Sequence, residues 1–179
     1  MKKLLTAEQV EDALDHLYEA VVKDLPSDER IAVVGIRTRG QTIAGRLVER
    51  LSEDHPDLQV DCGVLDITFY RDDLSRRRGA PLVRATEIDF DLDDVWLLLV
   101  DDVLQTGRSV RAALDALHDY GRPKVVRLGV LIDRGGRELP ISADFVGKSV
   151  KVKPGEQVRV RLRENDGEEG VFITEKQDG

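Results

Sequence analysis

The sequence predicts an α/β fold in which a mostly parallel, twisted sheet is flanked by helices. Apolar runs at residues 31–34, 96–100 and 125–132 have the length of buried strands. The first two are each followed by a loop and then by apolar residues at helical spacing. Strands that alternate with helices in this way form parallel sheets covered on both faces. Ligands of such sheets bind beyond the carboxyl ends of the strands.

Length and composition indicate one domain. The chain has 179 residues, 41% of them hydrophobic, so we expect a single domain over residues 1–179. The longest apolar run, residues 95–100, is far shorter than the ~20 residues of a membrane-spanning helix. The N-terminus also lacks the apolar stretch of a secretory signal. We therefore expect a soluble, cytoplasmic protein with no membrane partner.

Charge and cysteine content exclude several classes of site. The formal net charge of −8 argues against general attraction to nucleic acid. Cys62 is the only cysteine, so an internal disulfide and a thiolate metal cluster are excluded. Its apolar neighbours favour a packed side chain over a reactive thiol. The three histidines are scattered and do not have metal-ligand spacing.

The first half of the chain predicts two helices around a strand. Thr6 and Gln9 have the spacing of a capping box, and apolar residues then repeat at intervals of three and four up to Val21. Residues 26–28 end this helix. After the strand at residues 31–34, a second helix is indicated by Ile43, Leu47, Val48 and Leu51.

The middle of the chain predicts a strand and an exposed loop. A strand region spans residues 60–70, and the charged residues 71–79 after it are typical of a loop or hairpin tip. The next strand, 96–100, leads into a loop at 101–108 and then a helix that ends at 121–123.

The last part predicts a strand, a loop and a hairpin. The loop at residues 133–140 is rich in glycine and arginine and follows the strand at 125–132. Valine and arginine alternate over 158–163, and a turn at 165–167 precedes an apolar run at 171–173. We therefore expect a C-terminal β-hairpin.

The loop at residues 101–109 has the groups that a ribose 5-phosphate needs. Asp101 and Asp102 can accept hydrogen bonds from sugar hydroxyls. Residues 106–109 combine hydroxyls, a glycine and an arginine at a predicted helix start, where backbone amides favour phosphate. A solvated turn is the alternative, but these residue types coincide directly after a buried strand.

These residues carry a family resemblance. Residues 100–109 resemble the motif with which type I phosphoribosyltransferases bind 5-phosphoribosyl-1-pyrophosphate (PRPP). Residues 34–40, 66–74 and 133–140 resemble the PyrR-type members, which regulate pyrimidine operons and are also uracil phosphoribosyltransferases. The similarity runs nearly end to end. It implies the type I phosphoribosyltransferase fold, with a small hood beside the terminal hairpin.

The resemblance also implies roles for individual residues. It assigns PRPP binding to Thr38, Arg39, Gly40, Asp101, Asp102, Gln105, Thr106, Gly107, Arg108 and Ser109. It assigns the nucleobase to Arg134, Gly135, Gly136 and Arg137, within a region 133–179 that holds the base-binding loop and the terminal hairpin. It assigns catalytic roles to Arg39 and to Arg71, Arg76 and Arg77 of a flexible loop or hairpin, residues 71–88, that closes over the site.

The implied ligands follow from the family's reaction. They are PRPP and uracil as substrates, UMP as a product, and Mg²⁺ as the cofactor. The metal is held through the ligand, or by Asp101 and Asp102, without a dedicated protein site. The family further implies a homodimer or higher oligomer, and a leader RNA as a second partner.

Two positions depart from the family pattern at the base. Gln105 stands where purine-specific members carry an aspartate and PyrR-type chains usually carry an aromatic residue. Glutamine cannot exchange a proton at neutral pH, which disfavours a purine substrate. Gly136 replaces the usual histidine and adds backbone freedom.

The RNA function is the less favoured of two hypotheses. The first helix carries Glu8, Glu11, Asp12, Asp15 and Glu19, which would repel phosphates. The feature in favour of RNA is a basic strip formed by Lys148, Lys151, Lys153, Arg159, Arg161 and Arg163, although a solvated hairpin face is its preferred interpretation. An enzyme without RNA regulation leads, and a bifunctional attenuator follows. A receiver domain fits poorly, since its acidic pair would follow the first strand.

Overall fold

The computed structural model describes residues 1–76, 80 and 84–175. Its elements, in chain order, are β1 (Lys2–Leu5), α1 (Ala7–Asp24), β2 (Ile31–Ile36), α2 (Arg39–Asp54), β3 (Val60–Leu65), β4 (Trp96–Leu104), α3 (Arg108–His118), β5 (Val125–Asp133), β6 (Phe145–Ser149), β7 (Glu156–Arg161), α4 (Arg163–Asp166) and β8 (Gly170–Glu175). Two short 3-10 helices, Thr68–Tyr70 and Leu74–Arg76, lie between β3 and β4.

The central sheet has five strands in the order β3-β2-β4-β5-β6, and every pair is parallel. Helices α1 and α2 cover one face of it, and α3 covers the other. All residues of β2 are buried, as expected for a strand that is covered on both faces. The predicted α/β fold is therefore confirmed. Within the described residues, no helix is long and apolar enough to cross a bilayer.

The first helix begins as the sequence predicts. The Thr6 side chain accepts a hydrogen bond from the Gln9 amide at 3.3 Å, and the Gln9 side chain accepts one from the Thr6 amide at 3.0 Å. This reciprocal capping box satisfies two amides that the first turn would otherwise leave unpaired. One face of α1 is buried, as the apolar spacing predicts.

Strand β4 runs further than predicted. It ends at Leu104, because its parallel pairing with β5 continues through Asp101 opposite Val130 to Leu104 opposite Asp133. The two aspartates therefore lie among the last four residues of a paired strand and not in a free loop. Pairing on a central strand holds their backbone more rigidly than a loop would.

The strand predicted over residues 60–70 is wrong beyond Leu65. The Asp66 side chain accepts a hydrogen bond from the Thr68 amide at 2.7 Å and another from its hydroxyl, and the chain turns into a 3-10 helix. Aspartate commonly redirects a chain in this way. Cys62, expected to be packed, is exposed, because β3 is an edge strand whose first half is only partly covered.

A second, antiparallel sheet has the order β1-β8-β7. It contains the predicted hairpin, whose strands are joined through the short helix α4 and Gly167, at φ +71°. Strand β1, which the sequence analysis did not predict, pairs with β8. The buried side chains of Val160, Leu162 and Val171 join the core that α1 and α2 form. The hairpin is thus anchored beside the carboxyl end of β4.

Two glycines bring α2 against the strand ends. A Cβ at Gly40 would lie 2.5 Å from the Val100 carbonyl oxygen, and a Cβ at Gly35 would lie 2.5 Å from the Gly40 carbonyl oxygen. Neither approach is compatible with a side chain. The first turn of α2 therefore lies directly beside the ends of β2 and β4.

Candidate active site

A polar cleft lies at the carboxyl ends of β2, β4 and β5. Three adjoining cavities of about 380, 480 and 540 Å³ form it. The first two share Arg71, Asp101 and Ser109, and the first and third share Arg39 and Asp102. The structure therefore brings together side chains from both segments predicted to bind PRPP, residues 38–40 and 101–109, and from the start of the predicted flexible loop.

The acidic pair forms the floor of the cleft. Asp101 is only 8% exposed, and its Oδ1 accepts a hydrogen bond from the Asp102 amide at 2.9 Å. The Asp102 Oδ1 in turn accepts one from the Val103 amide at 2.8 Å. Burial and the neighbouring carboxylate raise the pKa of Asp101 well above its usual value. Burial also raises the pKa of Asp102, although the positive charge of Arg39 acts in the opposite direction.

Such a pair has a strong tendency to bind a cation or hydroxyl donors. Among the described residues, no group of three or more histidines, cysteines or carboxylates is placed to hold a metal ion. Any metal at Asp101 and Asp102 would therefore take most of its ligands from elsewhere.

The predicted phosphate-binding residues lie at the start of α3. Gly107 is buried with φ +90°, and a Cβ there would lie 3.2 Å from Cβ of Ile141, so the position requires glycine. The Thr106 hydroxyl accepts a hydrogen bond from the Arg108 amide at 3.2 Å. The helix then presents its first amides and Ser109 to the cleft, which is the arrangement that favours a phosphate.

Arg39 lies in the first turn of α2, directly after Thr38, and the peptide bond between Arg37 and Thr38 is cis. The Nε and Nη2 atoms of Arg39 donate to the two carboxylate oxygens of Asp166 at 3.0 and 2.6 Å. These hydrogen bonds raise the pKa of Arg39 and lower that of Asp166. No local pattern in the sequence predicts this partner.

The predicted flexible loop reaches the cleft through Arg71. Its Nε and Nη2 donate to Asp73 at 2.9 and 3.0 Å, and its Nη1 donates to the Ser109 hydroxyl at 3.4 Å. Asp72 forms an ion pair with Arg108 at 2.6 Å. Arg76 ends a 3-10 helix, and Arg77 lies outside the described residues. Arg71 is thus a loop arginine that the structure brings to the phosphate loop.

The predicted base loop follows β5 and is held by its own arginines. Arg137 donates to the Ile141 carbonyl at 2.8 Å, to the Gln105 carbonyl at 3.0 Å and to Asp133 at 2.6 Å. Asp133 also accepts from the Gly135 amide at 2.9 Å, and these bonds lower its pKa although burial acts the other way. Arg137 therefore fixes the loop beside Gln105.

The remaining base-loop residues have distinct positions. Arg134 donates to the Glu156 carbonyl at 2.8 Å, which ties the loop to β7, while its buried Nε has no partner within the described part of the chain. Gly135 and Gly136 have φ values of +68° and +82°. A Cβ at Gly136 would lie 3.8 Å from Cγ of the exposed Gln105, so the two departures from the family pattern adjoin.

Asp66 is a cleft residue to which sequence analysis assigned no role. Besides Thr68, it accepts a hydrogen bond from the Arg84 amide at 2.7 Å, so it ties the segment before the predicted flexible loop to the second half of that loop. These hydrogen bonds lower its pKa, although burial acts in the opposite direction. Val64 pairs with Glu87 in an antiparallel bridge nearby. The return of the chain to Asp66 leaves no local signal in the sequence.

Known proteins resemble this chain in sequence and in fold. The family model "Phosphoribosyl transferase domain" matches residues 1–160. "Bifunctional protein PyrR" of Deinococcus radiodurans is 46% identical over 175 residues, 98% of this chain and 95% of that protein. The protein of the same name from Roseiflexus sp. is 49% identical over 173 residues, 96% of this chain and 94% of that one. The solved hypoxanthine phosphoribosyltransferase of Trypanosoma cruzi has a TM-score of 0.70 at 16% identity, covering 99% of this chain and 98% of that one, which shows a shared fold.

Proposed function

The chain belongs to the phosphoribosyl transferase domain family, and on that premise we propose that it converts uracil and PRPP to UMP and pyrophosphate. One observation carries the proposal. The acidic pair of β4, the phosphate-type helix start of α3 and Arg39 of α2 line one continuous cleft. Near-full-length relatives named "Bifunctional protein PyrR" support a pyrimidine as the base.

The ribose 5-phosphate of PRPP fits along β4 and α3. Asp101 and Asp102 accept hydrogen bonds from the ribose hydroxyls, and the phosphate binds the amides and hydroxyls of residues 106–109. The acidic pair and the helix start are only a few residues apart on a rigid strand and its loop. Ribose and phosphate are thereby fixed relative to each other, which orients the anomeric carbon.

The pyrophosphate group lies toward α2. Thr38, Arg39 and Gly40 surround it at the amino end of the helix, where backbone dipoles favour negative charge. Arg71, from the loop beyond β3, adds a second guanidinium. Negative charge grows on the leaving oxygens as the bond to the anomeric carbon breaks, so these groups act most strongly in the transition state.

Magnesium fits this donor set. It binds proteins through one or two carboxylates together with substrate phosphates, and Asp101 and Asp102 provide the carboxylates. When bound, it neutralises charge on the pyrophosphate oxygens. Among the described residues, no group of three or more histidines, cysteines or carboxylates could hold a metal ion. Two carboxylates are enough for a metal whose other ligands come from PRPP.

Uracil binds at the loop after β5. A ring nitrogen of the base forms the new bond to the anomeric carbon while the carbon–oxygen bond to pyrophosphate breaks, and the nitrogen then loses its proton. Gln105 can hydrogen-bond to the base but cannot take this proton at neutral pH. The proton therefore passes to solvent or to the departing pyrophosphate. The backbone of Gly135 and Gly136 supplies the remaining contacts.

A product assay tests the proposal. Purified protein is incubated with labelled uracil, PRPP and Mg²⁺, and in parallel with hypoxanthine or guanine. We expect UMP and pyrophosphate in equal amounts, and a kcat/KM for uracil on the order of 100-fold above that for the purines. Absence of UMP, or a preference for a purine, would refute the substrate assignment.

Binding of a pyrimidine-operon leader RNA is a second candidate function. The basic strip defined above is exposed except for Arg161, which forms an ion pair with Glu168. The acidic residues of α1 named above, Glu8, Glu11, Asp12, Asp15 and Glu19, are exposed as well. We expect weak binding that rests on the strip and falls steeply with salt. A filter-binding titration with and without UMP checks this, and nanomolar, UMP-enhanced affinity at physiological salt would establish the bifunctional alternative.

A further inference from the structure

The turn of the C-terminal hairpin docks on one face of α2. Side chains three and four residues apart on α2 each meet a partner in or just after α4. The pairs are Arg39 with Asp166, Thr42 with Asn165 at 2.7 Å, and Arg46 with Glu164 at 2.7 Å and with Glu169 at 2.6 Å. The spacing is that of one helix face. The hairpin therefore contacts the same helix whose first turn lies in the cleft.

The first of these pairs differs from the others in where it lies. Arg39 lines both the 380 Å³ and the 540 Å³ cavities and interacts electrostatically with Asp102. Arg46 lies about two turns further along α2 and lines neither of these cavities. Of these pairs, Arg39–Asp166 is the one that connects the hairpin turn to the PRPP cleft.

The geometry of this pair leaves part of the guanidinium available. Asp166 engages Nε and Nη2, and no hydrogen bond among the described residues uses Nη1. A guanidinium has five N–H donors in a fixed plane, so a carboxylate on one edge orients the opposite edge. Asp166 is itself fixed, because its Oδ2 also accepts a hydrogen bond from the Leu162 amide at 2.9 Å.

We infer that Asp166 is a positioning residue for pyrophosphate recognition, holding the Arg39 guanidinium so that its free edge faces the pyrophosphate end of the cleft. This inference rests on the proposed function. Without Asp166, the long arginine side chain samples many rotamers and must be ordered each time PRPP binds. The effect is confined to ligands that carry pyrophosphate, since UMP has no group at this end of the cleft.

The variant Asp166→Asn tests the inference. Asparagine retains an oxygen for the Leu162 amide but loses the charged, bidentate contact with Arg39. Calorimetric titrations with magnesium pyrophosphate, magnesium PRPP and UMP measure the three affinities. We expect the dissociation constants of pyrophosphate and PRPP to rise about 10-fold, and that of UMP to change by less than about twofold.

The chain offers a matched control in Glu164→Gln. Glu164 belongs to the same short helix and forms its own bidentate pair with Arg46, so its substitution removes a docking contact of the hairpin without touching Arg39. We expect Glu164→Gln to bind all three ligands like the wild type. If it weakens PRPP as much as Asp166→Asn does, the hairpin acts through docking alone and the inference is wrong.

A double variant gives a second, independent check. In an Arg39→Ala background, Asp166→Asn should have no further effect on PRPP affinity, because the residue through which it acts is absent. An undiminished effect would contradict the inference. Should Asp166→Asn melt well below Glu164→Gln, Asp166→Glu replaces it, and the same selective loss is expected because the carboxylate moves by one methylene.

The outcomes also separate this inference from the proposed function. If the wild type binds neither PRPP nor pyrophosphate, the proposed function fails. If the wild type binds both and Asp166→Asn binds them equally well, only the positioning role fails.

Discussion

At the carboxyl end of β4, a carboxylate that is 8% exposed lies beside a second one. Burial and this neighbour raise the pKa of Asp101 above the 3.8 of an unperturbed aspartate. The folded state therefore binds the proton more tightly than the unfolded state does. Stability contributed by the protonated form is present at low pH and is lost as pH rises through the folded-state pKa. At neutral pH, Asp101 favours ligand binding at the expense of stability.

Asp101→Asn should thus stabilise the protein in the absence of ligand. Asparagine is neutral at every pH and keeps an oxygen for the Asp102 amide. We expect the melting temperature to rise by roughly 2–4 °C, the shift that about 1 kcal/mol produces in a domain of this size. Scanning calorimetry at about pH 4 and about pH 7 should show the larger gain at the higher pH. A lower melting temperature at neutral pH, or a gain only in acid, would contradict the account.

At the scale of the element, one of the two glycines of α2 sets the position of the helix. Gly40 and Gly45 are both in this helix, yet their surroundings are opposite. A Cβ at Gly40 would approach the Val100 carbonyl oxygen to 2.5 Å, whereas a Cβ at Gly45 would meet nothing within 4 Å. The first glycine therefore sets how closely the helix start approaches the cleft. The second only adds freedom to the unfolded chain.

The paired variants Gly40→Ala and Gly45→Ala should separate these roles. Gly45→Ala should raise the free energy of unfolding by about 0.5–1 kcal/mol and leave PRPP affinity unchanged. Gly40→Ala should lower stability by roughly 1–3 kcal/mol, the usual cost of overpacking, and weaken PRPP binding, because the first turn of α2 must move away from β4. Urea unfolding and calorimetric titration measure both. Equal behaviour of the two alanines would show that the close approach does not position the helix.

At the scale of the whole molecule, the sequence predicted what is local or repetitive. Burial of β2 and β4 on both faces makes them continuous apolar runs, and the capping box of Thr6 is a pattern of four residues, so these two strands and α1 could be predicted, whereas the edge strand β6 was not. The acidic pair and the start of α3 could be located because they are contiguous at a strand end. The family resemblance supplied the chemistry of those positions.

What escaped prediction depends on residues far apart in the chain. Arg39 and Asp166 are separated by 127 positions, and Asp66 meets Arg84 only because the chain returns to it. Strand β1 is recognisable only through its pairing with β8. The extension of β4 to Leu104 likewise depends on its partner β5. Tertiary pairing decides each of these features, and no periodicity in the sequence records it.

The most direct test of the central claim, that PRPP binds at the carboxyl end of β4, is a calorimetric titration with magnesium PRPP. The wild type, Asp101→Asn and Asp102→Asn are titrated under the same conditions. We predict one PRPP bound per chain of the wild type, and a loss of roughly 1.5–3 kcal/mol of binding free energy in each variant, because each removes a charged hydrogen-bond acceptor for the ribose. No binding heat from the wild type, or equal affinities in all three proteins, would contradict the claim.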